Sequence, residues 1–240
     1  MKPTGILVAV AILALFLGRA EPAAAQQEDP SQITQSAIDL NESFADPDAQ
    51  LWVQRFERAG RAVYDARFAL LDVLSLKPGM SVADIGAGSG FFTRLIAERV
   101  APSGQVYGVD IAESLVDHMA EKADAMGIDN FHAVLGGERS PRLDSNSVDA
   151  VYIMDAYHHF AYPAEMLAEI KRALRPGGEL LLIEYERIEG LTTPGRMAML
   201  RAGKEVFRSE FIDAGFELVE EVDLIGRLDP SSYALHFRLP

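Results

Sequence analysis

Residue types suited to chemistry gather at three places along this 240-residue chain. The first is Ser81-Val82-Ala83-Asp84-Ile85-Gly86-Ala87-Gly88-Ser89-Gly90-Phe91-Phe92-Thr93, an apolar strand that runs into a glycine-rich turn and opens a helix. Glycines in such a turn let a ligand approach bare backbone. The second is Asp110, twenty residues past Gly90 and closing the next apolar strand. A carboxylate there can accept both hydroxyls of a ribose, or it can cap the helix that follows. The third is Asp155-Ala156-Tyr157-His158-His159-Phe160, the densest ionisable cluster in the sequence. An imidazole titrates near neutrality, so His158 or His159 can take a proton from a hydroxyl, an amine or an acidic carbon, and Tyr157 can orient an acceptor instead.

The glycine spacing separates the possible cofactors. A dinucleotide fingerprint reads G-x-G-x-x-G, with its third glycine inside the helix. Here the glycines fall at Gly86, Gly88 and Gly90, and Phe91 takes the third dinucleotide position. Led by Asp84, the run resembles the first motif of class I S-adenosylmethionine-dependent methyltransferases, whose cofactor is a compact cationic nucleoside without a pyrophosphate. In motif order the chain is similar to the ubiquinone/menaquinone C-methyltransferase group.

The resemblance implies S-adenosyl-L-methionine as cofactor, held by Asp84, Gly86, Ala87, Gly88, Gly90 and Asp110, with Ile111 as an apolar wall beside adenine. It implies an acidic side chain after the third strand for the adenine amino group. This chain has Gly136-Gly137-Glu138 instead, which leaves backbone groups at Gly137, or Glu138, for that task. It sets Asp155 against the methionine ammonium, and Tyr157, His158 and His159 at the reaction centre. The reaction it implies is an in-line displacement onto a small-molecule acceptor, in which the protein mainly holds the two partners in near-attack geometry. Arg196, Arg201 and Lys204 follow the fifth strand, and they suit either an anionic group on the acceptor or, more often for such cations, the solvated face of an amphipathic helix.

Positioning these groups requires strands that end where the chemistry begins. Apolar runs read as strands over 81–85, 105–110, 130–135, 148–154 and 179–185, with helical periodicity over 92–100, 113–126, 164–174 and 204–214 between and after them. Two further strands close the chain near 216–224 and 232–238. Regular alternation predicts an α/β fold: a Rossmann-like seven-stranded sheet, mostly parallel with an antiparallel edge, and helices on both faces. The resemblance covers residues 78–240. Residues 26–77 read as a helical N-terminal extension or lid, broken near Pro47 and Gly60, with Leu51, Trp52, Phe56, Val63, Phe68, Leu71 and Leu74 as candidates for buried faces.

Residues 1–25 differ from the rest. Lys2 precedes an apolar run over 5–17, and Ala23-Ala24-Ala25 stands before Gln26, the pattern of a secretory signal peptide with an A-x-A cleavage site. This predicts an exported or periplasmic protein, or one anchored in the membrane by an uncleaved segment. Loss of Lys2, Arg19 and Glu21 removes one net positive charge and takes the formal charge from −14 to −15. Such a surface disfavours nucleic acid and anionic lipid, whose binding relies on Lys and Arg. The absence of cysteine excludes disulfides, thiolate metal sites and cysteine nucleophiles. No spaced set such as H-E-x-x-H appears, so no metal is expected. Two alternatives stand beside a methyltransferase. One is an exported non-catalytic module that binds a nucleoside or small ligand. The other is a nicotinamide-dependent oxidoreductase, against which Phe91 and the lack of a Tyr-x-x-x-Lys pair both argue.

Overall fold

The computed structural model describes residues 30–42, 44–223 and 228–240, so the signal assigned to residues 1–25 lies outside the described residues. Three helices come first: α1 (Pro30–Glu42), α2 (Ala49–Phe56) and α3 (Ala62–Asp72). Then follow β1 (Ser81–Ile85), α4 (Phe91–Val100), β2 (Gln105–Asp110), α5 (Glu113–Met126), β3 (Phe131–Leu135) and β4 (Val148–Met154). A single 3-10 turn, Tyr157–His159, leads to α6 (Pro163–Ala173), β5 (Leu174–Tyr185), α7 (Pro194–Met199), α8 (Lys204–Asp213), β6 (Glu217–Val222) and β7 (Ser232–Arg238).

The helix ends follow local chemistry. Asp48 caps α2 by accepting the N–H groups of Gln50 and Leu51 at 2.9 and 3.2 Å, a contribution of about 1 kcal/mol. Pro163 opens α6 at a position where its missing donor costs nothing. Gly127 stops α5 in the left-handed conformation at φ 65°.

All seven strands form one sheet in the order β3-β2-β1-β4-β5-β7-β6. The first five are parallel, and β7 runs antiparallel between β5 and β6. Central strands are buried on both faces, as parallel sheets require. Ile153 belongs to the core beneath α6 and α8, and its neighbour Tyr152 to the core beneath α3 and α4. Because α3 shares that second core with α4, Val82 and Ile183, the N-terminal extension is joined to the sheet there. Val63, Leu71 and Leu74 are buried as expected, whereas Leu51 and Phe68 are exposed. The strand order reverses between β1 and β4, and in such sheets the crevice beyond the strand carboxyl ends at that point is the ligand site. Among the described residues, no helix is long and apolar enough to cross a membrane.

Candidate functional site

The loops leaving β1 and β4 touch at the switch point. A side chain on Gly86 would meet the Ala156 Cβ at 2.4 Å, so only glycine lets the two loops approach this closely. Gly86 and Ala87 both donate to the Val109 carbonyl, Gly90 donates to the Ala87 carbonyl, and Gly88 donates to Asp110 Oδ2 at 2.9 Å. These loop N–H groups are therefore spent on the protein itself. Asp84 lies beneath the start of α4 and accepts the Thr93 hydroxyl at 2.6 Å and the Thr93 backbone N–H. The helix N-terminus that would meet a pyrophosphate in a dinucleotide site is thus filled by the chain's own carboxylate. Burial pushes the Asp84 pKa up to about 7, with the Thr93 bonds opposing it and the Asp110 charge adding to it.

Asp110 ends β2 beside this loop. Its Oδ2 accepts from Gly88 and its Oδ1 from the Ala112 N–H at 3.0 Å. An ionised carboxylate offers about four lone-pair sites, and the Ile111 N–H also bonds this one, so acceptor capacity remains for a ribose hydroxyl. Burial raises its pKa, and the Ala112 and Gly88 N–H groups hold it down. Asp110 is not the cap of α5, because Ala112 takes that position without a side-chain bond.

A cavity of about 120 Å³ opens between Asp110, Ile111, Gly137, Glu138, Phe44 and Phe160. Ile111 is 48% exposed, an apolar side chain presented to whatever fills the slot. The Gly137 N–H is bonded to the Ser140 carbonyl, which leaves Glu138 as the polar group on this rim. A second cavity of about 500 Å³ joins it across Phe44, Trp52, Gly86, Asp155 and His159, which line both. Its other walls include Asp84, Ala87, Gly88, His158, Tyr185 and Arg196. It is large enough for a small organic molecule.

The β4 loop supplies the chemistry. Asp155 adopts φ 52°, a conformation uncommon outside glycine, and its Oδ2 pairs with Arg61 at 3.3 Å. Its pKa is raised, by burial above all and by Glu184, against the lowering effect of His158, Arg61 and Arg196. His158 is fully buried, and its Nδ1–H donates to Glu184 Oε1 at 2.9 Å. Its Nε2 has no hydrogen-bond partner although the ring lines the larger cavity. Burial opposes a charged imidazole here, but the Glu184 carboxylate outweighs it and raises the pKa, with Asp155 adding to the effect. His159 is different. Asn41 Nδ2 donates to the His159 carbonyl, which turns the amide oxygen to His159 Nδ1 at 2.9 Å. Burial and the neighbouring His158 lower the His159 pKa to about 3, so it is neutral at working pH.

Two expected site residues fall elsewhere. Tyr157 lines neither cavity; its ring is buried among Phe160, Phe207 and Phe211, and its hydroxyl donates to Glu210. Gly90 lines neither as well, and Met119 stands 2.8 Å from where its Cβ would be, so its role is packing between helix and sheet. Arg201 pairs with Glu210 and Lys204 with Glu221, leaving Arg196 as the one of those three cations on the cavity. The histidine pair sits on a 3-10 turn with ring centroids 4.3 Å apart. Among the described residues, Asp155, His158 and Glu184 bring one donor atom each within 4.8 Å of one another. The set is knit by the His158–Glu184 bond and by the Arg61–Asp155 ion pair. Asn41, Phe44, Arg61 and Glu184 were not singled out by the sequence. Glu184 alone left a signal there, as the charge that closes the apolar run Leu180-Leu181-Leu182-Ile183.

The fold is a Rossmann-like α/β sheet with the strand order of methyltransferases. Residues 83–182 match the family described as methyltransferase domain. Over 114 residues the chain is 35% identical to the ubiquinone/menaquinone biosynthesis C-methyltransferase UbiE of Bordetella parapertussis, a match that covers 48% of this chain and 44% of that protein. A SAM dependent methyltransferase from Aquifex aeolicus shares the fold with a TM-score of 0.67 at 23% identity, over 89% of this chain and 100% of that one. Phosphoethanolamine N-methyltransferase 2 of Haemonchus contortus, solved with S-adenosyl-L-methionine, does so with a TM-score of 0.66 at 17% identity, over 80% of this chain and 56% of that one. The chain spans less than half the length of the curated relatives it matches.

Proposed function

We propose that the protein is an S-adenosylmethionine-dependent methyltransferase acting on a small-molecule acceptor, with His158 as general base. The observation that carries this reading is the crevice at the β1–β4 switch point, where the closed glycine loop, Asp110 and Asp155 border one cavity that opens into a larger one. The chain's residues fit the cofactor. Asp110 retains acceptor capacity for the ribose, Ile111 offers an apolar wall for adenine, and Asp155 offers a carboxylate for the ammonium. When bound, S-adenosylmethionine supplies an electrophilic methyl carbon on a sulfonium.

The chain's task is orientation and proton transfer. The acceptor occupies the larger cavity, and its proton passes to His158 Nε2 as its new bond to carbon forms. Glu184 then faces an imidazolium and stabilises it, while its bond to Nδ1 holds the ring in the tautomer that leaves Nε2 free to accept. Neutral His159 fixes α1 to the loop through Asn41.

The reading is tested by calorimetry with S-adenosylmethionine, S-adenosylhomocysteine and NAD, followed by transfer of a labelled methyl group to candidate acceptors. Binding of the first two and transfer are expected. Binding of NAD alone would reject the proposal, and cofactor binding without transfer to any acceptor would favour a non-catalytic binding module. Export directed by residues 1–25 belongs to the same proposal, and a compartment-sensitive reporter fused to the C-terminus tests it. Activity of that reporter only inside the cytoplasm would reject export.

A further inference from the structure

The larger cavity is cationic in a protein whose formal charge is −14. Arg55, Arg58, Arg61 and Arg196 line it, against the carboxylates of Asp84 and Asp155. Arg61 is held by Asp155 and lies over the Phe56 ring at 4.7 Å. Arg196 is held by Asp229 at 3.0 Å and lies over the Tyr185 ring at 3.7 Å. Asp84 is committed to Thr93. Arg55 lies over the Phe56 ring at 5.2 Å, and neither Arg55 nor Arg58 has an ion pair among the described residues. The nearest acidic side chain in sequence, Glu57, is drawn away to Arg94 at 2.6 Å. Two guanidinium groups thus border the cavity with no anion to meet them.

Resting on the methyltransferase reading, we propose that the acceptor carries an oxyanion, a carboxylate or a phosphate ester, on an apolar body. Arg55 and Arg58 receive the oxyanion at the cavity mouth, and the apolar part lies against Phe44, Trp52, Phe91 and Met199. Guanidinium suits this role because its planar fork matches two oxygens of either anion at once. The cluster also distinguishes the acceptor from the cofactor: a cation is drawn to Asp155 at the inner end, and an anion to the arginines at the outer end.

Trp52 is the single tryptophan of the chain and lines the cavity, so its emission reports occupancy without turnover. The full chain, with and without S-adenosylhomocysteine, is titrated with benzoate, phenyl phosphate and the neutral benzamide. At least one anion is expected to bind about tenfold more tightly than benzamide, and R55Q/R58Q to lose about tenfold for that anion with benzamide unchanged. Preference for benzoate assigns a carboxylate acceptor, and preference for phenyl phosphate assigns a phosphate ester. Benzamide equal to both anions, or anion affinity unaltered in R55Q/R58Q, overturns the proposal. Calorimetry with S-adenosylhomocysteine on the same samples keeps the two readings apart. Anion binding without cofactor binding would reject the methyltransferase and leave the anion site, and cofactor binding without anion preference would do the reverse.

Discussion

His158 Nδ1 lies 2.9 Å from Glu184 Oε1, and the same oxygen accepts the His158 backbone N–H at 3.2 Å. One carboxylate therefore fixes both the ring and the turn that carries it. The pair is fully buried, so Glu184 raises the imidazole pKa in spite of desolvation. Glu184 acts through His158 and is a positioning residue.

Methyl transfer should accordingly rise with pH as His158 loses its proton, above the ordinary histidine value of about 6.5. Glu184→Gln removes the opposing charge and leaves burial, which lowers an imidazole pKa. The ascending limb should move to lower pH while kcat falls by about a hundredfold. Cofactor affinity by calorimetry should stay within about twofold, since the carboxylate acts on the acceptor's proton and not on the nucleoside. A pH profile that does not move would remove His158 as the base.

Asp110→Ala should weaken S-adenosylhomocysteine binding by about 1.5 to 3 kcal/mol, the scale of hydrogen bonds to a charged group. The loss has two sources, the ribose contact and the Gly88 N–H that the carboxylate now holds. Calorimetry on the variant, with circular dichroism to establish folding, measures it. Unchanged affinity in a folded variant would dismiss the ribose role.

What the sequence disclosed about this site was local. The glycine turn, Asp110 and Asp155 each sit at the end of an apolar run, and strand alternation orders the runs into one sheet. What it withheld arrives from far along the chain: Glu184 is 26 residues from His158, Arg61 94 from Asp155, and Asn41 118 from His159. No periodicity encodes those meetings. Tyr157 misled because a phenol beside two histidines reads as chemistry, although the ring is buried against Phe160, Phe207 and Phe211 while both histidines line the cavity. The start of β5 was hidden by Arg175-Pro176-Gly177-Gly178, which reads as a stop. There Gly177 and Gly178 are bonded to Leu239, so the end of the chain holds the segment in the sheet.

Gly88 and Trp52 form the seam between the N-terminal helices and the glycine loop. A Cβ on Gly88 would stand 3.1 Å from the Trp52 ring, on a backbone with φ 57°. Gly88→Ala should cost about 1 to 2 kcal/mol in urea unfolding from the left-handed conformation alone. It should also shift Trp52 emission and weaken cofactor binding, because the ring must give way by a few tenths of an ångström against the loop. Emission and affinity matching wild type would show that Trp52 does not cover the site.

Chelation separates proton transfer from metal chemistry at Asp155, His158 and Glu184. Exhaustive EDTA treatment should leave methyl transfer unchanged, since His158 and Asp155 are already engaged by Glu184 and Arg61. Loss of activity that returns with zinc or magnesium would instead make those three groups a metal site.

Stability against pH tests the buried carboxylate under α4. Asp84 has a folded pKa of about 7 against an ordinary 3.8. Between these values the folded state holds a proton that the unfolded chain has lost, so this group's contribution to stability falls as pH rises from about 4 to 7 and is constant above. The full difference corresponds to about 4 kcal/mol. His159 works in the opposite sense. Its folded pKa is about 3, against an ordinary 6.5, so acid charges the unfolded chain first and its contribution is lost as pH falls below 6.5. The two windows overlap and offset each other, which makes the wild-type curve a poor probe. The difference between wild type and Asp84→Asn isolates the carboxylate. Asparagine keeps an oxygen for the Thr93 hydroxyl but cannot ionise. Urea unfolding should show the variant gaining on wild type steadily from pH 4 to 7 and holding that gain at pH 8. A difference that stays flat over this range would mean that Asp84 ionises normally, and that the start of α4 holds a full negative charge at neutral pH.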